Sequence, residues 1–112
     1  MNDTPASVVA AAFHHYRSQN REAALQLYAE DFTFTSPQDD HIDRTAFFDR
    51  CFPTASRMKE QHLLHITPAG PELVFVLYEY ELTTGARHRN MEAITVRDGL
   101  IHEAQVFFGG PA

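Results

Sequence analysis

Cysteine, lysine and tryptophan are scarce or missing in this chain, and each scarcity narrows what the protein can be. Cys51 is the only cysteine, so no intrachain disulfide can form, which fits a reducing, cytoplasmic setting. Lys59 is the only lysine, and the formal net charge is -6. Phosphate backbones require clustered basic side chains, so nucleic acid is not an expected partner. Arg87, Arg89 and Arg97 do gather on one strand-like stretch, but they read as solvated edge charges without a stacking platform beside them. No apolar run approaches membrane-spanning length, so no membrane partner is expected either. Met1 to Pro5 has neither the positive region nor the apolar stretch of a signal peptide. Repeats, low-complexity tracts and linkers are also missing. Residues 1–112 are therefore expected to form one domain, long enough to bury a real core. With no tryptophan, nine phenylalanines and four tyrosines must supply the aromatic bulk of that core and of any cavity in it.

The first half of the chain carries helix signals. Thr4 can cap free amides and Pro5 suits a first helical position, after which Val9, Ala12, Phe13 and Tyr16 recur at helical spacing. Asn20 restarts the pattern, with Glu22 early in the next helix and Ala24, Leu25, Leu27 and Tyr28 as its buried stripe. These two helices should pack as a hairpin. Phe32 to Ser36 alternates as a strand that Pro37 ends, with Phe34 and Ser36 on one face. Asp43 is placed to cap a third helix that holds Phe47, Phe48, Cys51 and Phe52 on its apolar side and closes at Pro53.

The second half changes to strands: Gln61 to Thr67, Leu73 to Leu82, Arg87 to Arg97 and Leu100 to Phe108, joined by short turns that make neighbours antiparallel. Asp98-Gly99 is the strongest local signal, because both residues tolerate the positive backbone angles of a tight hairpin. A two-residue loop there sets Val96 opposite Ile101, Ile94 opposite Glu103, Glu92 opposite Gln105 and Asn90 opposite Phe107, all on one face. Ala93, Thr95, His102, Ala104 and Val106 then share the other. The expected fold is α+β: a cone-shaped, curved antiparallel sheet with three N-terminal helices covering its concave face. Glu92 then stands on an inward face that is otherwise apolar. A carboxylate there has no cheap structural reason and marks the floor of a ligand pocket.

The stretch Leu27-Tyr28-Ala29-Glu30-Asp31-Phe32-Thr33-Phe34-Thr35-Ser36-Pro37, together with Glu92-Ala93-Ile94-Thr95-Val96-Arg97-Asp98-Gly99-Leu100-Ile101 and Val106-Phe107-Phe108-Gly109, resembles the nuclear-transport-factor-2-like superfamily, in its SnoaL-like and ketosteroid-isomerase-like branch. The order of elements agrees along nearly the whole chain. The resemblance implies a half-barrel with an apolar cavity at its open end, a small hydrophobic molecule as ligand, and a homodimer built through the outer sheet face. It says little about chemistry, since the same fold serves isomerases, cyclases, dehydratases and proteins without catalysis. Ketosteroid isomerases pair an aspartate base with a neutral carboxylic acid and a tyrosine that hold the developing enolate oxygen. Glu92 falls where the neutral acid stands. Ser36 falls at the position of the base, and Ala12 or Phe13 near the tyrosine, so the isomerase set is incomplete here.

Glu92, Asp40 and His41 are the candidate catalytic residues. Desolvation among Ile94, Val96 and Phe34 would raise the Glu92 pKa, whereas the plainer alternative is a strand carboxylate that pairs with Arg89 or bonds to Gln105. Asp40 and His41, in the loop after the first strand, would supply acid-base chemistry at the cavity mouth, with Asp39 reading as a wet helix-entry acid. Tyr16, Phe34, Ser36, Phe48, Tyr78, Gln105 and Phe107 are the candidate ligand-binding residues, with most of the aromatics, Tyr80 among them, also able to serve as plain core. No metal or other cofactor is expected. Seven histidines invite a metal site, but His14 with His15 and His62 with His65 point to different faces of their elements. Cys51 reads as packing. The functional expectation is a protein that binds a small apolar ligand and performs isomerase-, dehydratase- or cyclase-type acid-base chemistry in an enclosed pocket. The alternative is a non-catalytic binding or dimeric accessory protein.

Overall fold

The computed structural model describes residues 4–112; Met1 to Asp3, part of the stretch read for a leader, lie outside the described residues. Helix α1 spans Pro5–Ser18, with the Thr4 hydroxyl accepting from the Ser7 amide at 3.1 Å. Helix α2 spans only Arg21–Leu25 and is capped by the Asn20 side chain. Strand β1, Tyr28–Thr35, follows directly, so Tyr28 belongs to the sheet and not to the helical stripe. The reason is tertiary. The Leu27 carbonyl accepts from the Ile101 amide and Tyr28 pairs with Ile101, and this distant strand overrides local helix preference. A two-residue strand β2, Ile42–Asp43, pairs back on β1. Asp43 caps helix α3, Arg44–Arg50, by accepting from the Ala46 amide at 2.9 Å. Pro53 does not end that helix; it sits in the first turn of a 3-10 segment, Phe52–Arg57.

The remainder is a meander of β3 (Met58–Pro68), β4 (Leu73–Leu82), β5 (Arg87–Arg97) and β6 (Leu100–Pro111). The six strands form one sheet in the order β2-β1-β6-β5-β4-β3. The sheet is mixed, where an antiparallel one was expected, because β1 and β6 pair in parallel. Turns dictate direction only for strands they join. No turn joins β1 to β6, so nothing local announces their orientation. Helix α1 lies across β3 to β6 and α3 packs on β1, covering the concave side of a curved sheet that stays open.

Asp98 and Gly99 adopt φ of 53° and 76°, the paired positive angles of a tight hairpin turn, and Val96 pairs with Ile101 as expected. The next pairs do not. Thr95 pairs with Glu103, leaving His102 as an extra residue, and from there Ile94 faces Ala104, Glu92 faces Val106 and Asn90 faces Phe108. This bulge reverses the sides of β6 beyond His102. Ala104 and Val106, expected outside, are buried, while Phe107 is 55% exposed. A second irregularity near His88 brings the two strands so close at Gly109 that an added Cβ would collide with the Arg89 carbonyl oxygen.

Two apolar clusters hold the domain together. The main one joins Val8, Val9 and Phe13 of α1 to Val74, Val76, Ile94, Val96 and Ile101 of the sheet. The smaller one, Ala24, Phe48 and Phe52, is aromatic, with Phe48 and Phe52 stacked at a centroid distance of 5.1 Å.

Candidate ligand-binding cavity

Between the helices and the concave face lies a cavity of about 350 Å³, at the lower end of the usual range for small-molecule sites. Its walls are mainly apolar, with Phe34 and Phe47 on one side and Ile94, Ala104 and Val106 along the sheet. Glu92 enters from the middle of β5, where both flanking residues in the pairing, Val76 and Val106, are buried. It keeps part of its surface exposed because it faces the hollow.

The Tyr78 hydroxyl donates to Glu92 Oε2 at 2.7 Å. Asn90 sits opposite Tyr78 on the neighbouring strand and is the only buried polar residue among those described. Its Oδ1 accepts from the Gly109 amide at 3.4 Å, which turns its Nδ2 toward the Tyr78 oxygen at 3.5 Å. Among the described residues no cation pairs with Glu92. Burial pushes its pKa up to about 7, against the opposing pull of the Tyr78 hydrogen bond. Burial, then the charge of Glu92, also holds the Tyr78 hydroxyl well above its ordinary value.

A second hydroxyl looks in from the helical side. Thr54 donates to the Cys51 carbonyl at 2.6 Å, which spends its only proton, so the 2.6 Å contact with Tyr16 must be Tyr16 donating to Thr54. The Tyr16 oxygen is thereby left with lone pairs to accept a hydrogen bond. Its pKa is raised by burial although the Thr54 contact lowers it, with the charge of Glu92 a smaller contribution. Cys51 also lines the cavity; burial and then the charge of Asp39 lift its thiol to about 11.

Of the residues singled out in the sequence, Glu92, Tyr16, Phe34, Ser36 and Tyr78 line the cavity. Five do not. Gln105 and Phe107 are turned away by the His102 bulge, and Val106 and Phe108 take their places. Phe48 is fully buried in the aromatic cluster, and its neighbour Phe47 faces the hollow instead. Asp40 and His41 bond to one another at 2.6 Å, with side chains 88% and 63% exposed, outside the lining. Ser36 explains this placement. Its hydroxyl accepts from the amides of Gln38 and Asp39 at 3.1 and 3.2 Å, forming a turn that sets Asp39 on the cavity wall and throws the next two residues outward.

Asp39, Arg50, Thr54, Arg57, Asn90 and Phe108 line the cavity without having been chosen as site residues from the sequence. Asn90 was visible in principle, since it shares the face of Glu92 at a spacing of two. Asp39 is held by Arg50 at 3.2 Å. On the convex face, Arg89 and Arg87 pair with Glu79, Arg87 also with Glu81, and Arg97 with Glu72. Among the described residues no group of three His, Cys, Asp or Glu side chains is arranged to hold a metal ion, and no helix is long and apolar enough to cross a membrane.

Many solved structures share this fold. An NTF2-like protein from Cytophaga hutchinsonii is 21% identical with a TM-score of 0.76, the match covering 96% of this chain and 92% of that one. This chain has an NTF2-like fold. A second NTF2-like protein, from Burkholderia thailandensis, is 19% identical with a TM-score of 0.78, again covering 96% of this chain and 92% of the other. A computationally designed 17-OHP binder matches at a TM-score of 0.73 and 19% identity over 93% of both chains. No model of a known protein family matches the sequence, and no curated protein matches it either. At these identities the NTF2-like likeness is one of fold.

Proposed function

We propose that this NTF2-like protein binds a small, mostly apolar molecule that offers an oxygen to Glu92, and that the cavity supports proton transfer next to a carbonyl or hydroxyl group. The observation that carries the reading is the chain Asn90, Tyr78, Glu92 at the floor of an apolar hollow, with no cation among the described residues paired with the carboxylate. With a pKa of about 7, Glu92 is divided between its two forms at neutral pH. Protonated, it donates to a ligand oxygen; ionised, it takes a proton back. Tyr78 steadies the ionised form, and Tyr16 on the opposite wall is a second polar contact that would orient the ligand. Isomerisation, dehydration and cyclisation all fit such a pair of groups.

Binding without turnover is favoured by a different observation: Asp39, the other carboxylate on the cavity wall, already has a partner in Arg50. The similarity to a designed 17-OHP binder supports the fold's suitability for holding a small molecule. Pairing of two copies through the convex face is supported by the exposure of Phe75, Met91 and Phe107 there, which sedimentation would test. A cytoplasmic setting suits Cys51, whose thiol is kept protonated.

The test is NMR titration of the Glu92 carboxyl. A midpoint near 7, rising further in Tyr78→Phe because the lowering hydrogen bond is gone, is expected. A midpoint near 4.5 in the native protein would end the proposal. Mass spectrometry of small molecules released on denaturation should recover an apolar compound with a carbonyl or hydroxyl oxygen.

A further inference from the structure

The cationic side chains of the domain are unevenly employed. On the convex face each strand arginine meets a glutamate, and Lys59 reaches Glu81. Arg21 is engaged by Asp49, and Arg44 donates to the Tyr28 carbonyl. Among the described residues two guanidinium groups line the cavity, those of Arg50 and Arg57, and the one lining carboxylate besides Glu92, Asp39, is taken by Arg50. Arg57 closes the 3-10 segment, is solvent-exposed, and among the described residues makes no ion pair or side-chain hydrogen bond. Gln38 and Gln61 line the same cavity and add no charge. Glu92 apart, the lining therefore carries one net positive charge, on a chain whose formal charge is -6.

An apolar hollow with a hydrogen-bonding acid at its floor and an unmatched guanidinium on its lining has two polar ends. We infer that the ligand is an amphipathic anion, with an apolar body filling the cavity and a carboxylate or comparable acidic group held by Arg57. The inference rests on the cavity reading above and adds the second end of the ligand. A guanidinium recognises carboxylates and sulfonates through paired N–H donors, and it gains strength where an apolar ligand excludes water from one side of the pair. The acidic surface elsewhere repels the same ligands and so directs them to the rim.

A matched pair of fluorescent probes tests this. 1-Anilinonaphthalene-8-sulfonate and N-phenyl-1-naphthylamine share an apolar body, and only the first carries an anion. Both should brighten on binding the intact protein, with the sulfonate binding roughly fivefold tighter, as expected of a partly desolvated ion pair. Arg57→Gln should erase that preference while leaving the neutral probe unchanged, and Arg57→Lys should keep part of it. Half-molar salt should weaken the sulfonate alone. Ala104→Trp, or Ala12→Phe should the first not fold, fills the hollow and should abolish both signals. The inference is overturned if both probes bind equally, or if Arg57→Gln affects both or neither. In those cases binding that still disappears on filling the cavity leaves the reading of the hollow intact. Fluorescence that survives filling, or no binding of either probe, removes the inference and the cavity reading together.

Discussion

Glu92 and Glu79 lie on adjacent strands of one sheet, and their pKa values are displaced in opposite directions. Glu79, on the convex face, is held by Arg89, which lowers its pKa. Glu92, on the concave face, is held by a tyrosine, and burial raises its pKa to about 7. The strands supply the same backbone to both. What differs is which side of the pleat each residue occupies, and so whether its nearest donor is a solvated cation or a neutral hydroxyl. In this fold the choice of face decides whether a carboxylate is an ordinary surface charge or a group that exchanges protons near neutrality.

The largest effect expected concerns packing on the two sides. Phe48→Ala empties a fully buried site and should cost about 3–5 kcal/mol in chemical denaturation, whereas Phe107→Ser on the convex face should leave monomer stability within about 0.5 kcal/mol. Equal losses would show that the two faces are not distinct. Next comes the pH dependence of Glu92. Its folded pKa exceeds its unfolded value, so between about 4.5 and about 7 the native state binds the extra proton, and stability falls as pH rises through that window. From pH 4.5 to pH 8 the loss should be about 2–3 kcal/mol, and Glu92→Gln should flatten the profile. A profile unchanged by that substitution would place the carboxylate in a wet site. The smallest effect sharpens the contrast: Glu79→Gln should leave the shape of the profile between pH 5 and 8 as it was, because the depressed pKa of Glu79 puts its titration below that window.

Local chemistry was easy to read in this sequence. Thr4, Asn20 and Asp43 cap the helices they precede, Asp98-Gly99 makes its turn, and the limits of β4 and β5 follow from alternation alone. The errors arise where a distant partner decides. Tyr28 joins the sheet because β6 recruits it, and β1 runs parallel to β6 with no turn to say so. The His102 bulge left a trace that alternation overlooked: the apolar positions Ile101 and Ala104 are three apart, with the polar pair His102-Glu103 between them. Phe47 and Phe48 could not be separated, since both fall on the apolar side of a short helix and only the packed structure assigns one to the hollow. Asp40 and His41 looked poised for chemistry, yet the Ser36 turn was the stronger local instruction.

The seam between β1 and β6 joins residues about seventy positions apart and runs through the interior of the sheet. Ile101, Ala104 and Val106, which wall the hollow, all belong to the later of these strands. A nascent chain can form its helices and its β3–β5 meander early, but the container stays unfinished until Leu100–Pro111 has left the ribosome and threaded between two strands already made. Closing so long a loop is slow relative to hairpin formation. The hollow thus exists only once β6 is in place, and a nonsense change that removes this strand leaves the sheet without the seam that walls it.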